Sequence, residues 1–387
     1  KDVKLFDYLS GYTWNNGNAV LDGELVTGLN QRGLPITNLS WTKNTTSNIG
    51  FDLTMFNNRL KITADAFRKD ITGVPAARYD VLLPSEVGYS LPNENLNKQA
   101  YIGAEGMVTW TDHIGDLNYT VSGNFTFSRY KSIETYKPRF NNSWDEYRNS
   151  AEGRWGGIYW GYQVIGQFQS EEEIRNYPVN LDGNNNRTLL PGDFIYKDVN
   201  GDGIINSMDE RPIGYPEGWA PIMSFGGNIG LAWKGIDLNI DLSGGAMQGW
   251  RQNYELANAY HGNGNSPVYL LEDRWHRADL YDPDSEWIPG RYPAIRKGEF
   301  SYNNKNSDFW LHNVRYLRIK NLEVGYSLPA QLLRPIRAQK VRVYANVSNL
   351  CSFDNVGKFG VDPEITAAAA VVYPQQRTFL LGFNITY

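Results

Sequence analysis

Arg377 to Tyr387 reads R-T-F-L-L-G-F-N-I-T-Y. In an extended chain, successive side chains point to opposite faces. Phe379, Leu381, Phe383, Ile385 and Tyr387 therefore share one face. Thr378, Gly382, Asn384 and Thr386 share the other, with Leu380 the single large apolar intruder. A soluble sheet with one wet face can alternate in this way too. The segment gains weight because the pattern recurs along the chain, with connections of very unequal length.

Eight further stretches alternate with period two. The first spans about 39–56, with Ile49, Phe51, Leu53 and Met55 opposite Asn48, Gly50, Asp52 and Thr54. After the turn signal Asn57-Asn58, Leu60, Ile62, Ala64 and Ala66 oppose Lys61, Thr63 and Asp65. The third carries Ile102, Ala104, Val108 and Trp110, and the fourth Tyr119, Val121, Phe125 and Phe127. The fifth and sixth read as a hairpin about Lys234-Gly235, with Ile229, Leu231 and Trp233 before it and Ile236, Leu238, Ile240 and Leu242 after it. The seventh, about 314–328, changes phase, which predicts a bulge near Lys320-Asn321. Val341, Val343, Ala345 and Val347 mark the eighth, and the terminal segment is the ninth.

The connections at 57–58, 111–117, 234–235 and 329–339 are short, whereas 72–98, 129–220, 249–313 and 353–375 are long. Short turns on one side and long loops on the other are the layout of an outer-membrane β-barrel. Ten residues at about 3.3 Å each, tilted about 45°, rise roughly 23 Å, close to the ~25 Å apolar band of such a wall. Asp52, Asp65, Asp237 and Asp241 are costly against lipid, so their face is assigned to a watery lumen. Trp110, Phe127, Trp233 and Tyr387 end the apolar rows near the interfaces. A soluble β-sandwich is the competing reading, but loops of this length on one side fit it poorly.

Composition narrows the classes. The 387 residues hold 37 Lys+Arg against 42 Asp+Glu, a mildly acidic balance without a basic cluster, which argues against nucleic acid. Mean hydropathy is −0.49, and the longest apolar run, Ala367 to Tyr373, is far short of the ~20 residues a spanning helix needs. Lys1-Asp2-Val3 is not a secretory start, so a signal has been removed or the chain begins within something longer. The single cysteine, Cys351, lies in a strand pattern and reads as a packed thiol. An odd number of strands also predicts that the wall takes further strands from elsewhere, since each bare backbone group of an open edge in lipid costs several kcal/mol.

Several blocks resemble the barrel of SusC/RagA-type TonB-dependent transporters of Bacteroidetes. They are Leu39-Ser-Trp-Thr-Lys43 through Asn48-Ile-Gly-Phe-Asp-Leu53, Phe56-Asn-Asn-Arg-Leu60, Pro191-Gly-Asp-Phe-Ile-Tyr-Lys-Asp198, Tyr316-Leu-Arg-Ile-Lys-Asn-Leu322 with Gly325-Tyr-Ser-Leu-Pro329, Asp362-Pro-Glu364 and Tyr373-Pro-Gln375. The resemblance implies an all-β, antiparallel transmembrane barrel of about 22 strands, of which residues 1–387 supply the C-terminal part, with long extracellular loops and with the plug absent from this chain. It implies a SusD-like lipoprotein lid, the N-terminal barrel and plug portion, energy from the TonB complex through that portion, a dimer of two-protein units, and an integral outer-membrane location. The tail Phe379, Leu381, Phe383, Ile385 and Tyr387 then serves as the assembly signal, with Tyr387 where Phe is commoner.

The sharpest local motif is Asp198-Val-Asn-Gly-Asp-Gly-Ile-Ile-Asn-Ser-Met-Asp209. Asp198, Asn200, Asp202, the Ile204 carbonyl, Asn206 and Asp209 fall at the spacing of an EF-hand-like loop, which predicts a structural Ca²⁺; Asp at the last position shortens its reach. An ion-free Asn/Asp/Gly turn is the competing reading. Trp155, Tyr159, Trp160, Trp250, Tyr254 and Trp287 are the candidate substrate-binding aromatics, against a reading in which the long loops pack on each other or on the lid. His113, His261, His276 and His312 are scattered, and no nucleophile–base pairing appears, so no enzyme is expected.

The expected function is TonB-dependent import of a bulky nutrient, glycan or oligopeptide, with this chain supplying wall, lumen lining and loops. The alternative is a secreted or surface-attached glycan-binding β-protein without transport.

Overall fold

The computed structural model describes residues 8–31, 33–36, 38, 40–218, 220–296, 300–364 and 375–387. Leu39, Trp219 and the runs 1–3 and 367–373 fall outside them.

Nine long strands form one sheet: β1 (Lys43–Met55), β2 (Leu60–Ala76), β3 (Glu94–Ile114), β4 (Leu117–Glu134), β5 (Met223–Trp233), β6 (Ile236–Arg251), β7 (Leu311–Ser327), β8 (Lys340–Asp354) and β9 (Thr378–Thr386). Their order in the sheet is their order in the chain, with β1 and β9 at the two ends. The pairings from β4 to β9 are antiparallel. All nine expected strands are present, in one up-and-down sheet.

The tight turns follow from backbone chemistry. Lys234 and Gly235 both take positive φ, 48° and 87°, the mirror-image turn whose twist matches a two-residue hairpin. Phe56, Asn57 and Asn58 do the same at 55°, 56° and 67°. The expected bulge is there. Lys320 is skipped in both ladders: Ile319 pairs with Leu242 and Cys351, while Asn321 pairs with Asp241 and Ser348. One inserted residue thus keeps Leu317 and Ile319 on the face of Leu322.

Strand ends differ from those expected, mostly at the long-loop side and once at a short turn. The long connections are 77–93, 135–222, 252–310 and 355–377, and the turn expected over 111–117 is reduced to 115–116. β3 has 21 residues, so at about 3.3 Å per residue and a ~45° tilt it rises roughly 49 Å, well past an apolar band of ~25 Å. Above the band both strand faces are covered. Gly244, Gly245, Gln248, Gly249 and Trp250 at the upper end of β6 are all buried, and the period-two signal vanishes with the asymmetry that creates it. A two-stranded hairpin over Tyr12–Leu21 and Glu24–Gln31 was also missed, although Asp22-Gly23 at its tip, φ 52° and 85°, is a hairpin signal.

The chain divides into two compact units, 1–50 with 65–104 and 128–156, and 51–64 with 105–127 and 157–387. The second contains the main hydrophobic core, which lies in the loops. Phe168, Phe194, Tyr196 and Trp310 are essentially inaccessible and pack with Leu181, Leu270, Tyr292 and Tyr302. A smaller cluster of Trp250, Val314, Val356, Phe359 and Val361 ties the tops of β6 and β7 to the last long loop.

Candidate functional site

The register of β4–β9 sorts side chains into rows across the sheet. Val121, Ile229, Ile240, Leu322, Val347 and Phe379 are successive partners. So are Tyr119, Leu231, Leu238, Val324, Ala345 and Leu381, and then Leu117, Trp233, Ile236, Tyr326, Val343 and Phe383. Among the described residues these apolar rows are not packed away: Leu381 is 84% exposed and Phe379 72%. An exposed apolar face this extensive is what a lipid-facing wall requires.

The alternate rows are polar. Ser122, Asn228, Asp241, Asn321, Ser348 and Thr378 form one of them. Side chains of this face from Asn228 to Arg342 join into a continuous network. The Asn228 amide donates to Asp241 Oδ1 at 2.7 Å and Asn239 Oδ1 at 2.8 Å. Asn321 donates to Asp241 Oδ2 at 3.3 Å, and Asn346 donates to Asn321 Oδ1 at 2.8 Å and Glu323 Oε2 at 3.3 Å. Arg342 closes the network, with Nε 3.0 Å from Asp237 Oδ1 and Nη2 2.7 Å from Glu323 Oε1. Gly325 makes room for it, since a Cβ there would lie 2.4 Å from the guanidinium. Such charges are stable beside water and costly beside hydrocarbon, so this face is the lumen lining.

The Pro191-Gly-Asp-Phe-Ile-Tyr motif is the keystone of the loop core. Asp193 is fully buried. It accepts from Leu190 N and Asn303 Nδ2, each at 2.8 Å, and pairs with Arg296, whose Nη1 donates to Thr188 O at 2.7 Å. Burial pushes the Asp193 carboxyl above its ordinary pKa, and the Arg296 charge opposes that push. Tyr196 donates to Tyr302 O at 2.8 Å. The Lys305 ammonium lies 5.1, 5.3 and 5.1 Å from the rings of Tyr162, Tyr196 and Tyr302. Its burial there lowers its pKa, against the pull of Asp209 and Asp182.

The Asp198–Asp209 loop is closed by its own hydrogen bonds. Asp198 accepts from Gly201 N at 2.7 Å and Gly203 N at 2.9 Å. Asp209, fully buried, accepts from Val199 N and Asn206 N, both at 2.9 Å. Asp202 Oδ2 receives the Asn200 amide at 2.9 Å and the Asn206 amide at 3.4 Å. The Ile204 backbone bridges Asn180 of a second Asn/Asp-rich turn. In that turn Asp182 collects Asn184 N, Asn186 N, Thr188 N and Thr188 Oγ1 at 2.6–3.0 Å. Among the described residues no three acidic, His or Cys side chains are grouped to hold a metal. The donor set suits a hard ion in kind, but the Asn200 and Asn206 amides present N–H to the loop interior. Both have to turn over before their oxygens face an ion.

The six candidate aromatics are not brought together. Trp250 is 4% exposed, stacked on His312 at 5.4 Å and tilted against Phe359 at 5.6 Å. Trp160 is also buried. Tyr159 is half-buried by Glu217 and Arg251; burial, then the Glu217 charge, pushes its hydroxyl up to about 12. Arg277 lies over the ring of Trp287 at 4.4 Å, and Arg129 and Lys131 flank Trp155 at 5.6 and 5.4 Å. Tyr254 alone is open, 48% exposed. Most of these rings therefore stabilise loops. The sequence reading missed Asp193, Arg296, Arg342 and Arg318. Arg318 is 4% exposed and holds Asp362 at 2.6 Å and Glu364 at 3.0 Å, which gives Asp362-Pro-Glu364 its purpose. Charged residues on otherwise alternating strands were the available signal for Arg342 and Arg318.

No family model matches the chain. Among curated proteins it is 25% identical over 398 residues to TonB-dependent receptor P3 of Formosa agariphila, covering 95% of this chain and 36% of that protein. It is 26% identical over 395 residues to TonB-dependent receptor SusC of Bacteroides thetaiotaomicron, covering 99% and 36%. The chain thus spans little more than a third of the relatives it matches. Among solved structures, the RagAB peptide importer in its open-open state aligns over the whole chain and 38% of its own, with a TM-score of 0.67 at 19% identity. The RagAB peptide transporter aligns over 99% and 39%, with a TM-score of 0.64 at 20% identity. These relatives are receptors and importers rather than enzymes. Two-faced sheet and relatives agree: the chain resembles part of the outer-membrane β-barrel of the SusC/RagA-type TonB-dependent transporters.

Proposed function

We propose that the chain is the C-terminal wall and loop cap of an importer. The wall carries a bulky nutrient across the outer membrane, powered by TonB through a portion of the protein outside these residues. The observation that carries this reading is the pairing of three unbroken apolar rows with a hydrogen-bonded polar face on the same strands. A glycan-binding protein free in solution has no use for Phe379 and Leu381 at 72% and 84% exposure. Solved RagAB is described as a peptide importer, which supports an oligopeptide as cargo; the few open loop aromatics give glycan less support than the sequence suggested. A SusD-like lipoprotein lid and a pairing of two such units complete the proposed assembly.

The test is uptake by cells carrying the full-length transporter. Labelled oligopeptide should enter only with TonB present and with this wall intact. Entry without TonB, or retention of the chain in the soluble fraction, overturns the reading.

We also infer a structural role for the Asp198–Asp209 loop, with Ca²⁺ bound once the Asn200 and Asn206 amides turn over. The spacing of Asp198, Asp202 and Asp209 supports it. Asp202→Ala and chelator should each raise protease cleavage within 135–222. Cleavage unchanged by chelator means the hydrogen bonds alone hold the loop.

A further inference from the structure

The most exposed aromatic among the described residues is Tyr281, 96% accessible, next to Leu280 at 73%. They form the tip of a small hairpin whose strands are His276–Arg277 and Trp287–Ile288. An exposed tyrosine on a mobile tail carries no message, but this tip is fixed. Ser285 Oγ donates toward Asp282 O at 2.7 Å and Asp279 O at 2.9 Å, and Asp279 N donates to Ser285 Oγ at 3.2 Å. Asp279 Oδ1 receives Tyr281 N at 2.9 Å, and Asp282 Oδ1 receives Asp284 N at 2.9 Å. At the base, Arg277 donates to Ser285 O at 2.6 Å, lies over Trp287, and pairs with Glu171 at 2.9 Å.

The charge around the tip is one-sided. Residues 278–286 read A-D-L-Y-D-P-D-S-E, four carboxylates and no Lys or Arg. Arg277, the nearest cation along the chain, is already engaged at the base.

We propose that Leu280 and Tyr281 form a preorganised protein-docking finger, which inserts into an apolar slot rimmed by Lys and Arg on the lid lipoprotein. The proposal rests on the lid of the preceding section and assigns one of its contact points. Aromatic anchors held rigid before binding lose little entropy on docking, and they dominate interface energetics. A ring of carboxylates steers toward a basic surface and raises the association rate. The same ring repels phosphate-bearing lipid headgroups and anionic cargo, which leaves a basic protein face as the complementary partner.

The experiment measures binding of purified lid lipoprotein to the full-length transporter in detergent, with heat-modifiability as the folding check. Leu280→Ala with Tyr281→Ala should weaken binding about thirtyfold, while Tyr281→Phe binds as the natural protein does. Asp282→Asn with Asp284→Asn should slow association and flatten its salt dependence, leaving the turn intact. If the double alanine variant binds the lid as tightly as the natural protein, the finger is wrong and the lid stands. If it keeps the lid but loses cargo retention, the finger touches cargo and the proposal is overturned. If the natural transporter binds no lipoprotein at all, the lid reading fails and takes the finger with it.

Discussion

A Cβ on Gly192 would sit 2.2 Å from Trp275 Cγ, and the backbone there has φ +91°. Both facts exclude any side chain, which is why a glycine precedes Asp193 in the loop-core motif. Gly192→Ala should destabilise the loop core by about 2–4 kcal/mol. Limited proteolysis of the 135–222 segment would check this, with the barrel's own heat-modifiability expected to be little changed. Next to it, Arg296→Met leaves the Asp193 carboxylate buried without its cation, a loss of about 3–5 kcal/mol. Cleavage within 135–222 at the natural rate in that variant would refute the keystone role. A pH effect follows from Asp182. Burial raises its pKa, but Thr188 and three backbone N–H groups outweigh it, so the folded value is lowered. The unfolded chain therefore binds more protons, and the turn's stabilisation is full above the ordinary carboxylate range and lost as pH falls through it and below. The protection of the Asn184 to Thr188 amides against hydrogen exchange, relative to the free-chain rate at the same pH, should be high at pH 7 and fall on acidification below about pH 4.

At the scale of the element, each strand has two solvents. Leu238→Arg places a charge on the lipid-facing row and should cost about 2–4 kcal/mol near the midplane. Asn239→Arg, one residue away, points into the polar network and should cost far less; the cold-SDS mobility shift against urea separates the two. That contrast also marks how far the sequence was legible. Where a strand has oil on one side and water on the other, as from Ile236 to Leu242, alternation is forced and easily read. Where loops cover both sides, as from Gly244 to Arg251, the same strand continues without the pattern. The bulge at Lys320 was readable because it shifts that alternation. The aromatic loops were harder. Trp250 and Tyr254 look alike as sequence, yet one is stacked in a core and the other open, because segments distant in the chain, Val356 and Phe359, cover the first. Asp193 and Arg296 are 103 positions apart, and no local spacing announces such a pair.

At the scale of the molecule, the chain joins two kinds of stability. The sheet is specified by its two solvents, with the polar face tied together from Asn228 to Arg342. The loops at its upper end are specified by an ordinary buried core of Phe168, Phe194, Tyr196 and Trp310. A face lined by hydrogen-bonded amides and charges presents donors and acceptors rather than grease to the water beside it. The most direct test of this account is thiol accessibility in outer membranes carrying the full-length transporter. Cys351 is first replaced by Ser, and single cysteines are then placed at Leu238, Asn239, Ile240 and Asp241. Cysteines at 239 and 241 should react with a membrane-impermeant reagent, while those at 238 and 240 stay unreactive and are quenched by lipid-borne labels. Equal reactivity at all four positions, or the reverse alternation, would contradict a wall with lipid on one face and water on the other.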